Sequence, residues 1–121
     1  MSVQLSIVIP CYRSEAALPE LHRRLTAALE CVEPDFEVIL VDDCGGDNTW
    51  GVIQELARKD SRIRGMKLAR NYGQHNALLC GIRHAHYELI VTIDDDLQHP
   101  PEELAKLLAH LREADLDVVY G

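Results

Sequence analysis

Short apolar runs alternate with helical patterns along this chain, and that alternation limits the fold more than any other feature. Leu5-Ser6-Ile7-Val8-Ile9, Phe36 to Val41, Ile63 to Leu68 and Leu89-Ile90-Val91-Thr92-Ile93 read as strands. Between them, Leu18, Leu21, Leu25, Ala28, Leu29 and Val32 recur at helical spacing, as do Trp50, Ile53, Leu56 and Ala57. A third helix is predicted from about Gln74 to Ala85, with Ala77, Leu78, Gly81, Ile82 and Ala85 on its buried side. A fourth starts at Pro100-Pro101, with Glu102 and Glu103 in its first turn, where carboxylates complement the positive end of the helix dipole. Strands that are apolar on both faces and separated by helices build a parallel sheet covered on both sides. The fold class is therefore α/β, an open and mainly parallel sheet with helices on both faces.

Single residues set the expected boundaries. Pro10 removes a backbone donor and is expected to end the first strand. Pro19 is tolerable in a first helical turn, whose N–H groups have no partner anyway. Asp47 is placed to cap the second helix. Val118-Val119-Tyr120 begins another strand just before the chain stops at Gly121, which leads us to expect a single domain over 1–121 that is part of a longer protein. An open strand edge of that kind invites pairing with a second copy, so a homo-oligomer is the expected state.

Composition removes several functions. Twenty acidic residues against twelve basic ones give a formal net charge of −8, which disfavours nucleic acid as a partner. Arg58, Lys59, Arg62, Arg64, Lys67 and Arg70 nevertheless crowd together with only Asp60 among them. They form either a solvated helix end and strand face or a local anion-facing patch. Cys11, Cys31, Cys44 and Cys80 are widely spaced, which fits reduced thiols in a cytoplasmic protein better than a disulfide framework. His84 and His86 stand two apart without a cysteine pair beside them, a weak zinc signal. The apolar runs are far too short to cross a bilayer, and the chain does not open on a secretory signal.

The polar residues that follow the strands carry the chemistry. In open α/β sheets, ligands bind beyond the carboxyl ends of the strands. The first strand delivers Pro10-Cys11-Tyr12 there, the second Asp42-Asp43, and the fourth Asp94-Asp95-Asp96-Leu97-Gln98. Alternate side chains of an extended segment point the same way, so Asp94 and Asp96 can share one cation and Gln98 can add another oxygen. Hard oxygen ligands suit Mg²⁺ or Mn²⁺. Asp42 and Asp43 either terminate a strand or accept hydrogen bonds from a base or ribose. Tyr12 is either a packed ring or a platform for a nucleobase.

Taken together, Ser6 to Tyr12, Val41-Asp42-Asp43 with Asp47 and Thr49, Arg70-Asn71-Tyr72-Gly73-Gln74, and Asp94 to Glu102 resemble a family 2 glycosyltransferase. The resemblance covers essentially the whole chain and is closest to the polyprenyl-phosphate subgroup. It implies the Rossmann-like, nucleotide-binding half of a GT-A fold. It also implies that Pro10, Tyr12, Val41 and Asp43 hold the nucleoside, with Asp94 and Asp95 along the nucleoside and diphosphate. Asp94, Asp96 and Gln98 would coordinate Mg²⁺ or Mn²⁺, and Arg70 would occupy the place of the family's arginine. The implied partners are a nucleotide-diphosphate sugar and, for the full-length protein, a polyprenyl phosphate lipid at the cytoplasmic face of the membrane. The implied reaction is sugar transfer with inversion. Two departures stand out: Ser14 replaces the family's usual glutamate, with Glu15 one step late, and Cys44 replaces the glycine of the usual D-D-G-S loop.

Two other classes are weighed against this. A receiver-type phosphoacceptor module has about this length, but its acidic pair would follow the first strand, where Pro10-Cys11-Tyr12 stands. A fragment that only binds nucleotide, or only dimerises, is the second alternative.

Overall fold

The strands predicted over 5–9, 36–41, 63–68 and 89–93 form, and all run in the same direction. The computed structural model describes residues 4–30, 35–94, 103 and 106. Its elements are β1 (Gln4–Cys11), α1 (Leu18–Glu30), β2 (Asp35–Asp42), α2 (Thr49–Lys59), β3 (Ile63–Lys67), α3 (Gln74–Arg83) and β4 (Leu89–Thr92). Val32, the strand predicted from Val118 and most of the helix after Pro100-Pro101 lie outside the described residues.

The strand order is β3-β2-β1-β4. The chain steps outward from β1 to β2 to β3, then crosses back to lay β4 on the other side of β1. Parallel crossovers are right-handed, so reversing the direction of travel moves the connecting helix to the opposite face. The packing follows that rule. On one face Leu18, Leu21, Leu25 and Leu29 of α1 and Ile53 and Leu56 of α2 meet Leu5, Ile7 and Ile9 of β1 and Val38 and Leu40 of β2. On the other, Ala77 of α3 meets Val8, Ile39 and Val41.

Pro10 does not end β1. The strand runs on to Cys11, with Pro10 opposite Val41 of β2. The Val8 carbonyl accepts from Ile93 N–H, so that parity of β1 faces β4, whereas the Cys11 carbonyl accepts from Asp43 N–H on the β2 side. The nitrogen of Pro10 therefore points to the β4 side, beyond the last β1–β4 pair, Val8 with Thr92. No ladder bond is lost there, which is where a strand tolerates proline.

Ser6 of β1 and Glu37 and Asp42 of β2 are buried polar positions in otherwise apolar strands. Glu37 accepts from the Ser6 hydroxyl at 2.6 Å, the His86 N–H at 2.6 Å and Arg64 at 2.8 Å. Ser6 in turn accepts from the Tyr87 N–H at 3.1 Å. This network ties the turn between α3 and β4 to the amino-terminal ends of β1 and β2. Burial alone would push the Glu37 carboxyl up, but Ser6, His86 and Arg64 together hold it below its ordinary value of 4.5.

The basic cluster resolves mainly into a solvated, ion-paired surface. Arg58 and Lys59 pair with Glu55, Arg62 with Asp60 and Glu30, and Arg64 with Glu37.

Two predictions follow from the packing. A Cβ at Gly81 would lie 2.4 Å from Val8 Cγ1 and 3.1 Å from Val41 Cγ2. Gly81→Ala should therefore cost about 1–3 kcal/mol by overpacking, read from denaturant unfolding. Glu37→Gln should cost about 2 kcal/mol at pH 7. Because the folded carboxyl titrates below 4.5, its contribution is complete above that pH and is lost as the pH falls further. The gap between wild type and Glu37→Gln should thus narrow in acid unfolding curves.

Candidate functional site

A parallel sheet gathers all its carboxyl ends at one edge, and here the edge includes the place where strand order reverses, between β1 and β4. Cys11 and Asp42 stand at the same register, so the loops after β1 and β2 leave side by side. The Asp43 N–H donates to the Cys11 carbonyl at 2.8 Å, and the Leu68 N–H donates to the Asp42 carbonyl at 2.9 Å. Three successive loops are thus joined through the backbone.

Asp43 is 3% exposed, and its Oδ1 accepts from the Tyr72 N–H at 2.8 Å. A carboxylate has acceptor capacity beyond one such bond. Tyr12 and Tyr72, on loops to either side of it in the sheet order, are 48% and 44% exposed. Each ring carries a guanidinium on its face, Arg13 at 5.5 Å from the Tyr12 centroid and Arg70 at 4.9 Å from that of Tyr72. Half-exposed rings beside cations suit a flat, anionic ligand such as a nucleotide. Tyr12 is therefore not a packed core ring. In sequence, Tyr72 stands in the Arg70-Asn71-Tyr72-Gly73-Gln74 segment without a role of its own.

The two adjacent aspartates divide their work. Asp42 is buried, and its Oδ1 accepts from the Cys44 N–H at 3.2 Å, closing the turn. Burial raises its carboxyl above the usual value, against the opposing pull of the Cys44 N–H and Lys67. Cys44 itself adopts φ 56°, the left-handed region that glycine occupies without strain. That geometry accounts for the glycine usual at this position.

Two residues that depart from the expected pattern also find roles. Ser14 Oγ accepts from the Tyr12 N–H at 3.0 Å, and Glu15 Oε1 accepts from the Asn48 N–H at 3.2 Å. Asp47 caps α2 one residue earlier than a standard cap. Asn48 precedes the helix without a side-chain cap bond, while Asp47 Oδ1 accepts from both the N–H and the hydroxyl of Thr49.

Pro10 and Val41 pair at the edge, with the Val41 side chain wholly buried beneath α3. Asp94 follows β4, and its Oδ1 accepts from Gln74 Nε2, at the start of α3, at 3.1 Å. Asp95, Asp96 and Gln98 lie outside the described residues. Among the described residues, no three His, Cys, Asp or Glu side chains gather into a metal cluster. His86 serves Glu37, and His84 Nδ1 lies 2.8 Å from the Cys80 carbonyl. Among the described residues, no helix is long and apolar enough to cross a membrane.

The sequence pattern of glycosyl transferase family 2 matches residues 6–121. The chain belongs to this family. It is 46% identical over 110 residues to an undecaprenyl-phosphate 4-deoxy-4-formamido-L-arabinose transferase of Shewanella sediminis, covering 90% of this chain and 33% of that protein. A protein of the same name from Enterobacter sp. is 46% identical over 117 residues, covering 96% of this chain and 36% of its own length. The chain thus spans about a third of the curated relatives it matches. Among solved structures, S. aureus TarS 1-349 in complex with UDP superposes with TM-score 0.74 at 25% identity over 92% of this chain and 32% of that one. The Pyrobaculum calidifontis mannosyltransferase in complex with GDP-Man and Mn²⁺ gives TM-score 0.77 at 21% identity, over 92% of this chain and 33% of that one. The fold matches that of GT-A glycosyltransferases.

The adjacent aspartates of this family member yield one stability prediction. The folded protein holds the Asp42 proton more tightly than the unfolded chain does, so Asp42 costs stability as the pH rises through 3.8 and the higher folded value. The amide in Asp42→Asn keeps an acceptor for the Cys44 N–H without that charge. Thermal melts of Asp42→Asn at pH 3.5 and pH 7 should therefore show its stability rising relative to wild type toward neutral pH.

Proposed function

We propose that this chain is the nucleotide-sugar-binding part, over 1–121, of a glycosyltransferase that moves a sugar from a nucleotide-diphosphate donor to a polyprenyl phosphate. The observation that carries the reading is the meeting of Tyr12, Asp43, Tyr72 and Asp94 at one edge of the sheet. The names of the two relatives at 46% identity, both undecaprenyl-phosphate sugar transferases, supply the acceptor class. The UDP in the TarS 1-349 complex supports a nucleotide as the ligand class.

In this reading Tyr12 offers its face to the nucleobase, and Asp43 accepts from the nucleoside. Arg70 lies close enough to Tyr72 to offset diphosphate charge on that side. Pro10 and Val41 form the floor. Asp94, Asp95 and Asp96 line the diphosphate. Asp94, Asp96 and Gln98 would hold Mg²⁺ or Mn²⁺; their oxygens are the hard donors such ions take, and Gln74 already orients the Asp94 carboxylate. When bound, the ion stabilises negative charge on the departing diphosphate. A phosphomonoester acceptor is largely ionised near neutral pH, with a second pKa of about 6, and so needs little help from a base. Its attack on the face opposite the leaving group inverts the anomeric carbon. The full-length protein then works at the cytoplasmic face of the membrane, where its lipid acceptor lies.

Calorimetry with UDP and GDP tests this. Binding should require Mn²⁺ or Mg²⁺ and weaken about 10- to 100-fold or more on adding chelator or on Asp96→Ala. Equal affinity under all these conditions overturns the metal assignment, and binding of neither nucleotide overturns the donor reading.

A further inference from the structure

A buried hydroxyl fastens the loop that carries Tyr12 to a neighbouring helix. Thr49, the first residue of α2, is 0% exposed. Its Oγ1 accepts from the Ser14 N–H at 2.9 Å and donates to Asp47 Oδ1 at 2.6 Å. Ser14 passes the constraint on, since its own Oγ accepts from the Tyr12 N–H at 3.0 Å. A relay therefore runs from Asp47 through Thr49 and Ser14 to the backbone of Tyr12.

Other contacts make the same two loops act as one body. Arg13 Nε donates to the Gly45 carbonyl at 3.0 Å, and the Asn48 N–H donates to Glu15. Arg13 adopts φ 52°. A Cβ at Gly45 would meet Arg13 Cγ at 2.8 Å and Arg13 N at 2.9 Å, so the backbones pass too closely for any side chain there. A non-glycine residue in the left-handed region persists only where its surroundings hold it, and such strain gathers where geometry must be pre-set.

We propose that Thr49 is a positioning residue: its hydroxyl holds the Tyr12 loop against α2 and so pre-sets the nucleotide-binding surface, an inference that rests on the donor reading above. Thr49 touches no nucleotide itself. Its hydroxyl is doubly engaged within the protein, and removing it takes the Thr49 acceptor from the Ser14 N–H at a buried position. Such a group seeks another partner, and the loop must move to supply one. A tyrosine on a loosened loop binds a base less well, because binding must then order it.

Hydrogen exchange and calorimetry on Thr49→Val and Thr49→Ser of the full chain test the proposal. In Thr49→Val the Ser14 amide should exchange about tenfold faster or more, and UDP or GDP should bind about tenfold more weakly. Thr49→Ser, which keeps the hydroxyl, should restore both. In a Tyr12→Ala background, Thr49→Val should add little further loss of affinity, because both act on the same contact. Unchanged Ser14 exchange in Thr49→Val overturns the proposal. So does a loss that adds in full to that of Tyr12→Ala, and so does exchange that rises equally across β1 and β2, which would mean general unfolding. A wild-type chain that binds neither nucleotide overturns the donor reading instead, and the Ser14 exchange still decides whether Thr49 holds the loop.

Discussion

The pairing of β1 with β2 is the constraint on which the rest of the structure depends. Eight residues of each strand match in parallel register, from Gln4 with Asp35 to Cys11 with Asp42. Both strands are buried on both faces after their first residue. Slipping that register by one residue would turn Val8, Ile39 and Val41 away from α3 and push Leu5, Ile7 and Leu40 off α1 and α2. The apolar content of both faces thus fixes one alignment, and that alignment brings Cys11 level with Asp42. The proximity of the first two loops at the functional edge is a consequence of core packing.

Buried polar groups mark the two ends of this pair. At the amino-terminal end, Glu37 collects Ser6, Arg64 and the His86 N–H and anchors the turn into β4. At the carboxyl end, Ser14, Asp42, Asp43 and Thr49 are buried, each engaged with backbone or side-chain groups of the adjoining loops. Polar groups are costly to bury unless bonded, so each network specifies the path of the chain around it. The first network serves the fold. The second holds the surface on which Tyr12 and Tyr72 are displayed.

The proposed donor site is therefore an edge shaped by loops, with Pro10 and Val41 of the central strands beneath it. Its rigidity comes from bonds between loops, such as Asp43 with Tyr72 and Ser14 with Thr49. This arrangement suits a donor nucleotide, which needs a flat platform, an acceptor for its polar edge and balanced charge for its phosphates. Arg13 and Arg70 supply positive charge on a chain that is acidic overall.

By itself the sequence determined the α/β class and the described strands and helices to within a residue or two. Each of these depends on local periodicity, which neighbouring residues carry. Tertiary structure decided what needed distant partners. Pro10 stays within β1 because β4 ends short of its nitrogen, a fact of strand length and not of proline. Glu37 is buried in a strand because Ser6 lies 31 positions before it and His86 lies 49 after it. Asp42 and Asp43 are alike in residue type, and the Cys44 and Tyr72 amides separate the turn-former from the proposed site residue in the structure. Thr49 reads as an ordinary helix start until the loop 35 residues earlier closes onto its hydroxyl. A hydrogen bond selects its partner by position in space, and sequence spacing carries that position only within a single element.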